Sequence, residues 1–200
     1  MPITPHVKKL LPSALNNMVE RKAIPRGWFR KFSRTKTVKI HRFDRAIFGA
    51  VKRVKAKLRK LLGKSVEIEH RGSTALGISG QGEVDLYLRV RGKKDFELAF
   101  EKLRKNFGWP GSYYPDEPRA RFNYNHKGVK FEIMLVLQNA VDEVEGRLFF
   151  NYLKQHKDIL KRYEELKLKY ALRSKYEYQI AKHKFITKIL DAAKRNAKQN

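Results

Sequence analysis

Cysteine is absent from all 200 residues. That excludes a disulfide framework, a thiolate metal site and a thiol nucleophile. Long apolar runs are missing too: the longest strictly apolar stretch is Ile133 to Leu137, far short of the ~20 residues a membrane-spanning helix needs. No apolar h-region follows the N-terminus, so nothing reads as a secretory signal. The expectation is a soluble, cytoplasmic protein. Neither an internal repeat nor a Ser-His-Asp or zinc-ligand spacing can be found.

Acids are few and bases many. Twenty Asp and Glu face forty-six Lys and Arg, a net charge of +26. Residues 1–64 hold nineteen of the bases and only two acids, Glu20 and Asp44, so +17 of the excess lies in the first third. Such a field attracts polyanions, with binding that weakens steeply as salt rises. A lysine-rich solvated surface is the bland alternative, but segregation of the excess favours nucleic acid. Hydrophobic residues make up 42% of the chain, twelve Phe among them, which suffices for a packed core.

The pattern divides the chain into a basic arm, 1–42, and a domain, 43–196. In the arm stand four prolines, a candidate helix near Leu15–Glu20 and the basic-aromatic run Arg26-Gly-Trp-Phe-Arg-Lys-Phe. Asp44 reads as an N-cap, with Phe43 and Phe48 as a hydrophobic staple. Ala46, Ile47, Ala50, Val51, Val54, Leu58, Leu61 and Leu62 then recur at helical spacing until Gly63. Strands are expected over Ser65–Glu69 and over 83–91. A helix capped by Asp95 should run to about Asn106, and a hairpin should turn at Asn125-His-Lys-Gly. From about Glu145 to Arg195 two or three helices are expected. Strands in the middle with helices at both ends predict an α+β fold.

Within Arg71-Gly-Ser-Thr-Ala-Leu-Gly-Ile-Ser-Gly-Gln-Gly-Glu-Val-Asp a glycine-rich loop runs directly into a strand carrying two acids. Glu83 and Asp85 project from one face, about 6–7 Å apart at the backbone, where their carboxylates can converge on a hard cation. Glu132, on the polar face of a later strand, is a third acid. Gathered acids repel each other, and a divalent ion resolves the repulsion. Backbone N–H groups around Gly72 and Ser73 can hold phosphate oxygens. In the competing reading, Glu83 is a solvated strand-start acid and Glu132 an ion-pair partner of Lys130 or a neighbour. His70 suits a phosphate contact or a structural hydrogen bond equally well.

A Gly-Ser pair, nine intervening residues, an acid-x-acid strand and a further acid resemble the nucleotidyltransferase superfamily of DNA polymerase beta and the CCA-adding enzymes. Ile68-Glu-His-Arg-Gly-Ser-Thr-Ala, together with Phe150-Asn-Tyr-Leu-Lys, Tyr163, Leu166-Lys167, Tyr178, Ala181-Lys182 and Phe185-Ile186, is similar to the GrpB-like family over residues 43–192. The resemblance implies a nucleotidyltransferase fold, with a mixed sheet and C-terminal helices. It further implies a two-ion Mg²⁺ site on Glu83, Asp85 and Glu132, and NTP contacts from Gly72, Ser73, Lys167 and Lys182. The chain departs from the family in Leu76-Gly-Ile-Ser-Gly-Gln-Gly-Glu83, where a proline and a lysine are usual and an apolar residue precedes the aspartate. Glu83 moves the pattern towards the active polymerase-like one.

Joined to the charge, this reading makes the chain a transferase of nucleoside monophosphate from an NTP to a hydroxyl on RNA, such as a tRNA end. The alternatives are a non-catalytic RNA- or ribosome-binding protein and a transferase acting on small molecules or proteins. Arg26, Arg30, Lys31, Lys52, Lys55 and Arg59 are the expected phosphate contacts. Neutralising each one engaged should flatten the salt dependence of RNA binding by about 0.7 to 0.9 log units of slope, read by titration at several salt concentrations.

Overall fold

The computed structural model describes residues 32–198. The helix expected near Leu15–Glu20, Trp28, Phe29 and the contact candidates Arg26, Arg30 and Lys31 lie outside them. Phe43 and Phe48 meet edge to face with centroids 5.7 Å apart, as the staple requires. Asp44 Oδ1 accepts the Ala46 N–H at 2.9 Å, so it closes the turn that precedes the helix rather than capping the helix itself. Helix α1 (Ile47–Leu62) buries Ala50, Val51, Val54, Leu58 and Leu62. It ends at Gly63, whose φ of 83° suits glycine. Arg59 donates to the carbonyls of Gly63 and Val66 at 2.8 and 2.6 Å; this expected phosphate contact is engaged in closing the helix end.

Five strands follow: β1 (Glu67–Arg71), β2 (Glu83–Val90), β3 (Ser112–Tyr114), β4 (Arg119–His126) and β5 (Val129–Leu137). Their order is β1-β2-β5-β4-β3, and only β2 and β5 run parallel. The sheet is therefore mixed, with helices flanking it, as the α+β reading expects. Between strands lie α2 (Gly72–Leu76) and α3 (Lys93–Phe107), and after them α4 (Val141–Gln155), α5 (Lys157–Lys169) and α6 (Lys175–Lys198). The hairpin turns where expected, with Lys127 and Gly128 both at positive φ, as a two-residue primed turn needs.

Period-two alternation gives the sheet two unlike faces. On one, Val84, Leu86, Leu88, Phe122, Phe131, Ile133 and Leu135 pack with α1 and with Phe96, Ala99, Phe100 and Leu103 of α3. On the other stand Glu67, Glu69, Arg71, Glu83, Asp85, Tyr87, Arg89 and Glu132. A second cluster joins Ile78 to Phe149, Leu153, Leu160, Tyr163, Ile189 and Leu190 of the three C-terminal helices. An unforeseen strap, residues 33–41, crosses the molecule. Val38 donates to the Arg173 carbonyl at 2.9 Å and accepts from Leu172 at 2.8 Å; His41 and Gly80 exchange backbone bonds of 2.7 and 3.0 Å.

Four boundaries differ from expectation. The first strand lies two residues later than Ser65–Glu69. Helix α3 begins at Lys93 after Gly92, leaving Asp95 in its first turn and not at its cap. Helix α4 starts at Val141, before Glu145. The Gly-Ser segment opens a short helix instead of continuing as a loop. Three-residue β3 is too short for an alternation signal.

Beneath α4 lies a buried ion cluster. Arg71 donates to Glu143 through both terminal nitrogens, at 2.8 and 2.6 Å, and to Glu69 at 2.8 Å. Arg89 reaches Glu69 at 2.7 Å, Glu143 at 3.3 Å and Glu67 at 3.1 Å. Removing one partner of such a set strands the others without compensation. Glu143→Ala is expected to lower stability by about 3–5 kcal/mol, measured by denaturant unfolding. A loss below ~1 kcal/mol would mean that the arginines find other acceptors.

Candidate active site

Alternation in β2 turns Glu83 and Asp85 away from the core, and the parallel register sets Asp85 directly beside Glu132 of β5. The three acids share one sheet face. At the end of β1, Gly72 adopts a φ of 72° and brings its bare Cα against Asp85. A Cβ there would lie 1.8 Å from Asp85 Oδ2, so no other residue fits without moving the carboxylate. Burial, followed by the charge of Glu132 and, more weakly, of Glu83, pushes the Asp85 carboxyl up to about 7, while Lys182 and Lys167 act in the opposite direction. Burial likewise raises Glu132, and Arg121 opposes it.

Ser73 opens α2, and its side chain lies against Gly80, where a Cβ would sit 2.7 Å from the Ser73 Cβ. Lys167 Nζ donates to Ser73 Oγ and lies 4.6 Å from the Tyr163 ring centre. Although lysines are usually solvated, Lys167 is only 3% exposed. Burial and the neighbouring Lys182 pull its amine down to about 7, with Asp85 and Glu164 opposing them. Lys182 is half-buried on α6, and its charge acts on Asp85, Glu132 and Lys167. Gly72, Ser73, Glu83, Asp85, Glu132, Lys167 and Lys182 thus face one another in space.

Other candidates lie elsewhere. His70 points to the opposite sheet face, 6.1 Å from the Phe48 ring, and shares a 2.8 Å hydrogen bond with Thr74 Oγ1. Burial, then Lys55, lowers its imidazole to about 4; it is a neutral structural group. Lys52 and Lys55 sit on α1, across the sheet from the acids. Arg121 of β4 escaped the sequence reading: it donates to Glu132 at 3.0 Å, so Glu132 is an ion-pair partner as well as a member of the acid row. Counting back from Lys127–Gly128 would have placed Arg121 on that face. Lys175, at the start of α6, also acts on Glu132; no periodicity marks it.

Among the described residues, no three His, Asp or Glu side chains already close around a cation position. The donor set nevertheless suits a hard divalent ion, being three carboxylates with oxygen ligands only. Asp85, whose proton affinity is raised by burial and then by its fellow acids, is a group that a cation would satisfy.

A model of the GrpB protein family matches residues 37–192. The conserved protein GrpB from Enterococcus faecalis has a similar structure at 20% identity, with a TM-score of 0.63 over 78% of this chain and 98% of that one. Lower scores relate two Cid1 structures. One, a poly(U) polymerase with Mg and 3′-dATP bound, has 16% identity and a TM-score of 0.44 over 68% of this chain and 48% of that one. The other, named for RNA terminal uridylyl transferase activity, has 17% identity and 0.43 over 64% and 44%. The shared fold rests on the Enterococcus protein. No curated protein matches the chain.

Asp85 generates a pH test. Its carboxyl titrates near 3.8 in the unfolded chain and near 7 in the folded one. Between those values the folded state holds the extra proton, so stability falls as pH rises, and the loss is complete above 7. Asp85→Asn should remove this slope. It should exceed the parent in stability above pH 7 by on the order of 2 kcal/mol, partial exposure keeping the effect below the full linkage value. The gap should close towards pH 4 in thermal unfolding without divalent ions; parallel curves would contradict the shift.

Proposed function

Because the chain belongs to the GrpB protein family and sets three acids against a Gly-Ser turn, we propose that it is a nucleotidyltransferase. It transfers a nucleoside monophosphate from an NTP to an acceptor hydroxyl, and the acceptor is RNA. The observation that supports this most is Asp85 pressed against Gly72, beside Glu132, with Ser73 held by Lys167. Residues 43–196 carry the chemistry, and the basic segment 1–42 locates the protein on its acceptor.

In the reaction an acceptor oxygen forms a bond to the α-phosphorus as the bond to pyrophosphate breaks, and the hydroxyl proton passes to a carboxylate. Glu132, with its raised carboxyl, suits that acceptor role. Backbone N–H groups after Gly72 and the Ser73 hydroxyl bind triphosphate oxygens, while Lys167 and Lys182 place positive charge beside them. Lys167 lies against Ser73 and so reaches the phosphates as Ser73 does. Glu83, Asp85 and Glu132 would hold Mg²⁺, which when bound stabilises charge on the phosphates and acidifies the attacking hydroxyl.

The ion pair between Arg121 and Glu132 favours a second reading, an RNA-binding protein without turnover, since it engages one of the three acids. Incubation with each labelled NTP, Mg²⁺ and total RNA separates the two. Transfer of label to RNA is expected, at least 10³-fold weaker in Asp85→Asn and about tenfold weaker in Ser73→Ala, where N–H groups remain. Label on no acceptor from any NTP, with RNA still bound, would establish the second reading. Mg²⁺ alone should also raise the thermal midpoint of the parent above pH 7 but not that of Asp85→Asn.

A further inference from the structure

Beyond the acids the same sheet face runs on to an edge with no role yet. The register sets Asn123 of β4 beside Glu132, Arg121 beside Met134, and Arg119 beside both Val136 and Tyr114 of edge strand β3. Asn123 is exposed, and Tyr114 is 42% exposed. The Arg119 guanidinium lies over the Tyr114 ring, 4.2 Å from its centre. Arg119 pairs with Asp142 and Arg121 with Glu132. The Nε–H of each arginine is buried without a hydrogen-bond partner, and each gives only Nη1 to its carboxylate, so neither guanidinium is fully engaged. The other arginines of this strand face, Arg71 and Arg89, are enclosed by carboxylates.

Two guanidinium groups two residues apart on one strand face are separated by about 6–7 Å at the backbone, a span comparable with one nucleotide. An arginine fork matches a phosphate in two hydrogen bonds, and a tyrosine-guanidinium layer offers a flat surface to an unpaired base. From β3 to β5 is two strand spacings, about 10 Å, and from the level of Tyr114 to Glu132 is four residues, about 13 Å, so a chain bound at the edge reaches the acid row within two or three nucleotides. We propose that Tyr114, Arg119 and Arg121 bind the single-stranded end of the RNA acceptor and lead its terminal hydroxyl to Glu132 and Asp85. One base stacks on the Tyr114–Arg119 layer, and successive phosphates meet Arg119 and Arg121. This rests on the transferase reading above and adds the route by which the acceptor enters. A phosphate on Arg121 competes with Glu132 for the same guanidinium, so arrival of the acceptor releases that carboxylate to the acid row.

The test uses the full chain and a fluorescein-labelled single-stranded RNA 12-mer, followed by anisotropy at several salt concentrations without metal or nucleotide. Tyr114→Ala should weaken binding about tenfold with the salt slope unchanged, and should leave double-stranded RNA unaffected. Arg119→Gln with Arg121→Gln should reduce the slope by about 1.4, at about 0.7 per lost contact with a single strand. Arg119→Lys with Arg121→Lys keeps the charges and most native packing; it should hold the slope yet lose affinity severalfold, because lysine cannot form the fork. Parent-like affinity in both Tyr114→Ala and the lysine pair overturns the proposal. So does displacement of the RNA by polyglutamate of equal charge as effectively as by unlabelled RNA, which would assign the surface to acidic peptide. If the variants lose RNA affinity as expected but the parent transfers no nucleotide, the track stands and the transferase reading falls. If the parent transfers nucleotide and the variants keep its KM for RNA, the reverse holds.

Discussion

A carboxylate packed against a glycine Cα is the contact on which the rest of the site depends. Asp85 can stand beside Glu132 only because Gly72 has no side chain, and Gly72 can turn there only with a positive φ. What surrounds that contact holds it in place. Arg71, one residue earlier, is locked by Glu143 and Glu69. Ser73, one residue later, is held by Lys167. Ile78 is buried in the helical cluster, and Gly80 is paired with His41. The turn is thus fixed from both sides by elements that are far apart in sequence.

The two sheet faces divide the electrostatic work. The core face is apolar, and the basic helix α1 covers it with its cations turned outwards. The opposite face mixes both signs, pairing Glu67 with Arg89 and Arg71 with Asp85 across β1 and β2, but setting Asp85 beside Glu132. Acids that share a small space raise one another's proton affinity, and lysines placed among them limit the increase. A site arranged in this way is less stable empty than filled, because a bound cation or phosphate completes charges that the protein leaves partly unmet.

Much of this was legible from residue patterns. Glu83 and Asp85 were placed on one strand face by period two alone, and the contact of Phe43 with Phe48 by their spacing, although Asp44 between them caps no helix. The face of Glu132 followed from the alternation of β5. Pairing between distant strands was not legible: the hairpin turn fixes the face of Arg121 relative to Glu132, but nothing local reveals that β2 and β5 run side by side. Lys167 shows the opposite difficulty. Lysines are abundant in this chain and almost always solvated, so composition argued for an exposed group. It is buried instead against Ser73 and the Tyr163 ring. The strap escaped because its bonds are single bridges to distant loops, with no alternation of its own.

That strap bears on the order in which the protein is made. Residue 38 emerges from the ribosome early, yet its backbone partners are residues 172 and 173, near the end of the chain. Contacts this distant in sequence form late and fold slowly, and a nascent chain cannot make them until both segments have emerged. The sheet and α1 can assemble beforehand from local pieces. The loop between the Gly-Ser turn and the acid strand can bond to His41 beforehand, but Ile78 stays unpacked until the C-terminal helices arrive. A chain cut before those helices would retain the acids and the core but lack the packing that aligns them, so the same residues would be present without the same arrangement.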